Sequence, residues 1–328
     1  MAWRLKVSEK FIKLGFSTRQ VLKHTGVASS TWYAYLKRLK HSKEDKRKHN
    51  IGRLTPGYSF DIHGNKIADA LIVSALKKYR DNIYFHNSGG YLKFKHYMKK
   101  DYGYCVNKKK IYRLCKKHKL LLPLRKKRKW RNRKICINRV ITAPNELWEF
   151  DIKYGYIHGE NRYFFFLGFI DVYSRKIISY YTGTSCKAKD MTFTLDEALR
   201  KNSICDENKL TIRSDHGTQM KSFAFKKYLD SKKDLQLDHE FIPPSTPNKN
   251  AHIESFNSIF ETEFLQVRYF QNMKDVYKQV GEFIDFYNSY RVHSSLKYLN
   301  PDEAERKMLS GDLKIINCPH YLCLEYFA

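Results

Sequence analysis

The chain has 328 residues, of which 42% are hydrophobic and 15% aromatic, so its composition supports packed cores and excludes disorder throughout. A chain of this length is expected to form two to four domains. Its formal net charge is +29, from 62 Lys and Arg residues against 33 Asp and Glu residues. This excess favours a polyanionic partner, because each phosphate that a basic side chain neutralises releases condensed counterions.

An anionic membrane is the rival partner. The sequence has no run of about 18 apolar residues that could span a bilayer, and it shows no signal peptide, so nucleic acid is favoured. Seven scattered cysteines, an odd number, indicate free thiols in a reducing compartment rather than a disulfide framework. We therefore expect a cytoplasmic, nucleoid-associated protein with no membrane partner.

The first forty residues are predicted to form a helix-turn-helix. Ser17 can cap a first helix, Thr25-Gly26 can form the turn, and Ser29 or Ser30 can cap a second helix. In a DNA reader the second helix enters the major groove. A helical hairpin without a DNA-binding role has the same spacing. The DNA-binding interpretation is therefore favoured by the net positive charge of the chain and not by the spacing alone. A polar linker is predicted over residues 41–60.

A second helical DNA-binding unit is predicted over residues 61–122, with helices at 67–79, 91–100 and 106–118. The third helix is strongly basic, and a solvated face is the alternative interpretation of its charge. A basic linker arm follows over residues 123–141. Its candidate DNA contacts are Arg125, Lys126, Lys127, Arg128, Lys129, Trp130, Arg131, Arg133 and Lys134.

The pattern changes at Thr142. Three apolar or alternating stretches predict strands, and alternating helices and strands follow them. This is the order of a ribonuclease-H-like α/β layer, predicted over residues 142–270. A carboxy-terminal helical extension is predicted over 271–328.

Three acidic residues lie where such a layer would present them. Asp151 is within the first strand, Asp215 ends a later strand, and Glu254 is in the first turn of a helix predicted over 251–265. Strand ends and the adjoining helix start converge in space, so these residues are expected to meet. Their carboxylates suit Mg²⁺ or Mn²⁺, and phosphodiester cleavage has a use for two such ions.

Other side chains compete for these roles, and spacing alone does not choose among 33 acids. Asp171 is a second acid within a strand, but its surroundings indicate a structural residue paired with Arg175. His252 is a candidate proton shuttle, and Asn250 is interpreted as the cap of the long helix.

Five ordered motifs resemble those of the integrase-type insertion-sequence transposases with an Asp-Asp-Glu triad. Residues 148–151 resemble the family's Trp-x-x-Asp strand, and 169–175 its Ile-Asp-x-x-Ser-Arg element. Residues 213–219 resemble Ser-Asp-x-Gly-x-Gln, and 244–254 resemble Pro-x-x-Pro-x-x-Asn-Ala-x-x-Glu. Residues 286–301 resemble the family's Tyr-Asn-x-x-Arg-x-His-x-x-Leu ending.

The resemblance implies a retroviral-integrase-like core, two Mg²⁺ ions, cleavage at transposon ends and strand transfer by the freed 3′-hydroxyl. It also implies Asp151 as the bridging ligand, with Asp215 and Glu254 each completing one ion site. The implied partners are double-stranded DNA, further copies of the chain on that DNA, and a small protein from an upstream reading frame.

Three departures from the family pattern concern activity. The Asp215–Glu254 interval is a few residues longer, through an insertion around residues 231–238. Lys249 stands where many relatives have Asp, and Glu261 stands where relatives often place a Lys or Arg that holds terminal DNA.

These departures keep a second function open, that of a transposase-derived regulator that binds DNA without cutting it. A ribonuclease or junction resolvase is disfavoured, since it would have neither helix-turn-helix nor basic arm.

Overall fold

The computed structural model describes residues 2–41, 56–123, 139–203, 209–232, 235–243 and 247–314. The chain divides into two compact units, Met1–Gly57 and Tyr58–Ala328. Within the described ranges, no helix combines the length and apolar character needed to cross a bilayer.

The described residues of the first unit form three helices: α1 (Ala2–Lys13), α2 (Thr18–Thr25) and α3 (Ser29–His41). Trp32 is buried with two aliphatic side chains at its centre. Gly26 ends α2 in the left-handed conformation at φ 64°, where its N–H donates to the carbonyl of Leu22. The predicted pair of helices and its turn are therefore present.

The predicted serine caps are wrong. Ser17 precedes α2, but its side chain makes no cap hydrogen bond. The α3 helix already includes Ser29 and Ser30, so neither stands at the flanking position that a cap requires.

The second unit begins with a small mixed module. Its elements are β1 (Tyr58–Asp61), β2 (Lys66–Ala68), α4 (Asp69–Asp81), α5 (Tyr91–Tyr102), β3 (Tyr104–Cys105) and α6 (Lys108–Lys117). The three helices match the predicted ones to within a few residues. The structure adds an antiparallel sheet in the order β2-β1-β3, and β1 begins inside the range predicted as linker.

The core is a five-stranded sheet in the order β6-β5-β4-β7-β8. Its strands are β4 (Leu147–Ile157), β5 (Arg162–Asp171), β6 (Ile177–Gly183), β7 (Thr211–Ser214) and β8 (Asp238–Phe241). The first three strands are antiparallel, and β7 and β8 run parallel to β4. This is the predicted order of three antiparallel strands followed by parallel ones.

Among the ranges that the structure describes, five α-helices accompany this sheet: α7 (Ala188–Lys201), α8 (Phe223–Ser231), α9 (Ala251–Ile259), α10 (Met273–Ser289) and α11 (Pro301–Leu309). Side chains of β4 alternate between the two faces of the sheet. Trp148 and Phe150 pack with α7 and α8 on one face. Glu149 and Asp151 therefore belong to the opposite face, on which α9 packs against β4.

The helix predicted over residues 251–265 is not regular throughout. It is α-helical to Ile259, then forms a π-helical turn over Phe260–Phe264 and a 3-10 turn over Leu265–Val267. The wider turn lets Phe260 and Phe264 stay in the core while Glu263 points to a buried arginine, Arg291. Tertiary contacts thus override the regular helical pattern.

Candidate active site

The strands β4 and β7 bring Asp151 and Asp215 to the same level of the sheet. Glu149 pairs with Arg213 in the parallel register, and each of the two aspartates lies two residues further along its chain. Neighbouring strands are spaced by about 4.8 Å. The two aspartates therefore share one edge and one face of the sheet.

The α9 helix lies over this face and brings Glu254 to it. Glu149 accepts hydrogen bonds from the backbone N–H groups of His252 and Ile253, at 2.9 and 3.0 Å. One turn further, the Asn257 amide donates to Asp151 Oδ2 at 2.8 Å. Glu254 lies between these two points of attachment, in the first turn of α9.

Asp151 is the least exposed of the three acids. Its pKa is raised to about 6, mainly because burial disfavours the charged form and in addition because Asp215 and Glu254 are negatively charged, while the hydrogen bonds from the Ile152 N–H and the Asn257 amide act in the opposite direction. Asp215 and Glu254 are exposed. The cluster thus has a desolvated carboxylate at its base and two acids at a solvent-facing rim.

The donor chemistry of the three acids fits a hard divalent cation, because all donors are carboxylate oxygens and Asp151 carries an unfavourable charge that a cation would relieve. In the parts of the chain that the structure describes, no three His, Cys, Asp or Glu side chains are close enough to hold one ion together. The rim side chains would have to turn toward Asp151 to share an ion with it.

Asp171 is fully enclosed at the end of β5. Its carboxylate accepts hydrogen bonds from the backbone N–H groups of Asn145 and Ser174, at 3.0 and 2.6 Å. Asn145 in turn accepts from the Trp148 indole at 3.1 Å. These bonds give Asp171 a structural role in holding the start of β4, as the sequence indicated.

The structure corrects the interpretation of Asn250. Its side chain makes no cap hydrogen bond, and its backbone, at φ −108° and ψ 29°, does not have the extended conformation of a capping residue. Glu149 satisfies the helix start instead, and neither Glu149 nor Asn257 was singled out from the sequence. The only sequence signal for Glu149 was its position two residues before Asp151 on the same strand face.

His252 does not suit the role of a proton shuttle. Its burial, with the positive charges of Arg175 and Arg213, lowers its pKa to about 3. It therefore stays neutral near pH 7.

Two of the three departures from the family pattern have a clear place in the structure. Glu261 forms an ion pair with Lys153 at 3.0 Å, and Lys153 lies two residues beyond Asp151 on β4. The range 231–238 coincides with the connection from α8 to β8, so a longer interval there leaves the strand register intact.

The predicted basic arm spans residues 123–141. Its candidate DNA contacts lie outside the described residues, namely Arg125, Lys126, Lys127, Arg128, Lys129, Trp130, Arg131, Arg133 and Lys134.

Known protein families match most of the second unit. Two family models described as "Integrase core domain" match residues 141–247 and 235–301, and one described as "HTH-like domain" matches residues 68–128. Together with the sheet order, these matches define a protein with a ribonuclease-H-like integrase core that follows a helical module. The fold class predicted from the sequence is confirmed.

Curated relatives specify the class further. The chain is 26% identical over 173 residues to the transposase for insertion sequence element IS904 of Lactococcus lactis, covering 52% of this chain and 66% of that protein. It is 27% identical over 199 residues to the IS476 uncharacterized 39.2 kDa protein of Xanthomonas euvesicatoria, covering 60% of this chain and 54% of the relative. It is 26% identical over 162 residues to the putative transposase InsK for IS150 of Escherichia coli, covering 49% of this chain and 55% of that protein.

The chain is thus a relative of the insertion-sequence transposases that carry an integrase core, as its motifs predicted. It spans between about half and two thirds of the length of these relatives.

Solved structures that match include a simian T-cell lymphotropic virus intasome in complex with PP2A regulatory subunit B56 gamma, at 15% identity and a TM-score of 0.44. That match covers 70% of this chain and 74% of the other. The HTLV-2 integrase catalytic core domain in complex with magnesium matches at 15% identity and a TM-score of 0.37, covering 50% of this chain and 97% of the other.

Proposed function

We propose that this chain is a DNA transposase that cleaves DNA strands at the ends of its element and joins the freed 3′ ends to target DNA. The proposed metal ligands are Asp151, Asp215 and Glu254. The observation that carries the proposal is the shared register of Asp151 and Asp215 beneath the first turn of α9, with both rim acids acting electrostatically on Asp151.

Two bound Mg²⁺ or Mn²⁺ ions would acidify the attacking water or 3′-hydroxyl and neutralise charge on the leaving oxygen. Asp151 would contribute to both ion sites, and Asp215 and Glu254 to one each. The hydrogen bonds from Ile152 and Asn257 hold the Asp151 carboxylate in place before any ion binds. Such preorganisation reduces the rearrangement that binding requires.

Double-stranded DNA is the proposed partner of the chain. The charge of +29 and the HTH-like module support binding to double-stranded DNA, and the arm over residues 123–141 is a candidate for following the backbone. Joining two ends requires at least two protomers, so we propose a homo-oligomer assembled on DNA. This work would take place on cytoplasmic, nucleoid-associated DNA, and an upstream-frame partner stays a prediction from resemblance alone.

A regulator that binds DNA without cutting is the second candidate. It is favoured by Glu261, an acidic side chain placed near Lys153 on the face that carries the three acids. An acid here replaces a basic contact to terminal DNA, and its ion pair with Lys153 also occupies a nearby cation, so the end of the element would be held less well for cleavage.

Strand cleavage decides between the two functions. Purified protein is incubated with Mg²⁺ and labelled duplexes of the inverted repeats that flank its reading frame, beside Asp151→Asn. The matched control is Glu282→Gln, an exposed acid of α10 away from the three carboxylates. We expect nicking by wild type and by the control, and none by Asp151→Asn. Binding by all three proteins without cleavage by any would favour the regulator and contradict the transposase.

A further inference from the structure

A buried charged network lies directly beneath the three acids. Its centre is Glu149 on β4 and Arg213 on β7, which are 1% and 3% exposed. Their closest charged atoms, Glu149 Oε1 and Arg213 Nη1, are 3.7 Å apart. Buried charges are retained only where partners satisfy them, so every interaction of this pair is informative.

Glu149 acts as the cap of a helix to which it does not belong. Its Oε2 atom accepts hydrogen bonds from the second and third N–H groups of α9, those of His252 and Ile253. These groups have no partner within the helix itself. The preceding Asn250 does not cap them, and a carboxylate at this end is also favoured by the helix dipole.

Arg213 connects the same helix to two strands. Its Nη1 atom donates to the carbonyl of Lys249 at 2.8 Å, immediately before the start of α9. Its Nε and Nη2 atoms donate to Glu240 of β8, at 3.1 and 2.9 Å. Arg213 therefore keeps a charged partner even if Glu149 is replaced.

Four members of this network lie within two residues of the acids along the chain. Glu149 precedes Asp151 by two residues, Arg213 precedes Asp215 by two, and His252 and Ile253 immediately precede Glu254. Because the network joins β4, β7 and α9, it fixes the three acid-bearing segments relative to one another.

We propose that Glu149 is a positioning residue whose two hydrogen bonds to α9 hold Glu254 in reach of Asp151 and Asp215. This inference rests on the proposed metal-dependent function. Glu149 itself would touch neither DNA nor metal. Its effect is transmitted through the helix backbone, as with residues that orient metal ligands from behind.

The reach of the side chain, rather than its charge, is the property that matters. Glu149→Gln keeps the length and an oxygen that can accept both N–H groups. Glu149→Asp keeps the charge near Arg213 but is shorter by one methylene, so it cannot make the same two hydrogen bonds without movement of α9. A purely electrostatic role predicts that Asp is the better substitute, and positioning predicts that Gln is.

The test measures Mn²⁺ binding to the full-length protein without DNA, by loss of the six-line spectrum of free Mn²⁺ in electron paramagnetic resonance. Binding that is absent in Asp151→Asn defines the site. We expect Glu149→Gln to bind within about threefold of wild type, and Glu149→Asp to bind roughly 10-fold to 100-fold more weakly. The control is Leu195→Ala, which perturbs the core on the other sheet face and should leave Mn²⁺ affinity unchanged.

Two results would overturn the inference: Glu149→Asp binding Mn²⁺ as tightly as wild type, or Glu149→Gln binding more weakly than Glu149→Asp. A different result concerns the proposed function itself. If Asp151→Asn binds Mn²⁺ as wild type does, the three acids are not the metal site, whatever the Glu149 variants show.

Discussion

Asp151 is held in an environment that disfavours its charge. Its folded pKa of about 6 lies above the ordinary value of 3.8. A carboxyl group whose pKa is raised by folding makes its full contribution to stability at pH values below its ordinary pKa. That contribution is lost as the pH rises through the pKa of the group in the folded protein. The ionised form of Asp151 therefore lowers the stability of the metal-free fold at neutral pH.

Asp151→Asn should remove that destabilisation. We expect the variant without metal to be more stable than wild type at pH 7.5 by about 1–3 kcal/mol, and the gain to disappear near pH 4. The Asn257 side chain can turn its amide to serve the new residue, because its Oδ1 atom has no partner among the described residues. Urea unfolding at both pH values measures the difference. Equal stability of the two proteins at pH 7.5 would contradict the electrostatic explanation.

The Lys153–Glu261 pair is partly exposed, with side chains 32% and 36% accessible. Such pairs contribute only about 0.2–1 kcal/mol to stability, so breaking one is tolerated. Glu261→Gln would release Lys153 for a DNA phosphate. We expect DNA to bind about two- to fivefold more tightly at low salt, with a smaller gain at high salt.

Affinity for the end duplex, measured by fluorescence anisotropy at two salt concentrations, tests this expectation. Glu282→Gln removes the same charge from α10 and serves as the control. An equal gain in both variants would show a general charge effect rather than a local role for Lys153.

The three candidate acids come from the sequence, but the interactions that surround them could not be predicted from it. Asp151, Asp215 and Glu254 each lie in a motif with a family resemblance. Glu149 binds the start of α9 across more than one hundred residues of chain, and no local pattern reports such an interaction. Asn250 failed as a predicted cap because a 3-10 turn precedes α9 and changes its backbone conformation.

At the scale of elements, the π-helical turn after α9 contributes Glu263 to a buried ion pair with Arg291. Arg291 donates to both Glu263 oxygens, at 2.7 and 2.6 Å. Arg291 belongs to the Arg-x-His motif near the chain's end, and its neighbour His293 is buried beside it. The motif thus has a structural role in this fold.

Removal of one partner should destabilise the fold strongly. We expect Arg291→Ala to lose about 3–5 kcal/mol of unfolding free energy, because a buried carboxylate is left without its main cation. Arg291→Lys should lose less but still a measurable amount, because an ammonium cannot make the two parallel bonds. Urea denaturation measures both. A loss below about 1 kcal/mol for Arg291→Ala would be at odds with the structural role.

The strands and helices of the core were predictable where the pattern is long. The alternation of β4 and the apolar run of β5 identified both strands. The sheet β2-β1-β3 was missed because its strands are only two to four residues long and pair across distant segments, as Phe60 does with Cys105. The π-helical turn was missed because its Glu263 pairs with Arg291, a residue distant in sequence, and the local periodicity does not report that contact.

At the scale of the whole molecule, the charge of +29 predicts a polyanionic partner but not the surface that would bind it. Charge is a property of the entire chain, whereas a binding surface depends on which basic residues share one side of the fold. The family matches over residues 68–128 and 141–301 assign the class without assigning the residues that bind DNA.

The basic arm is expected to account for part of the salt dependence of DNA binding. Replacing the eight Lys and Arg residues within 125–134 by Gln should weaken binding to all duplexes alike. The slope of log affinity against log salt should fall by about 0.9 for each phosphate that the arm no longer neutralises. Salt titrations of wild type and variant measure the slope. An unchanged slope would show that the arm does not bind the DNA backbone.

Three carboxylates, distant in sequence, are proposed to hold divalent ions together beside DNA. The most direct measurement is a crystal structure of the wild-type protein with Mn²⁺, with the ions located by anomalous scattering. We expect two Mn²⁺ peaks bridged by Asp151, one also bound by Asp215 and the other by Glu254. Mn²⁺ bound away from Asp151, or an ordered site in which Glu254 stays turned from the ions, would refute this arrangement.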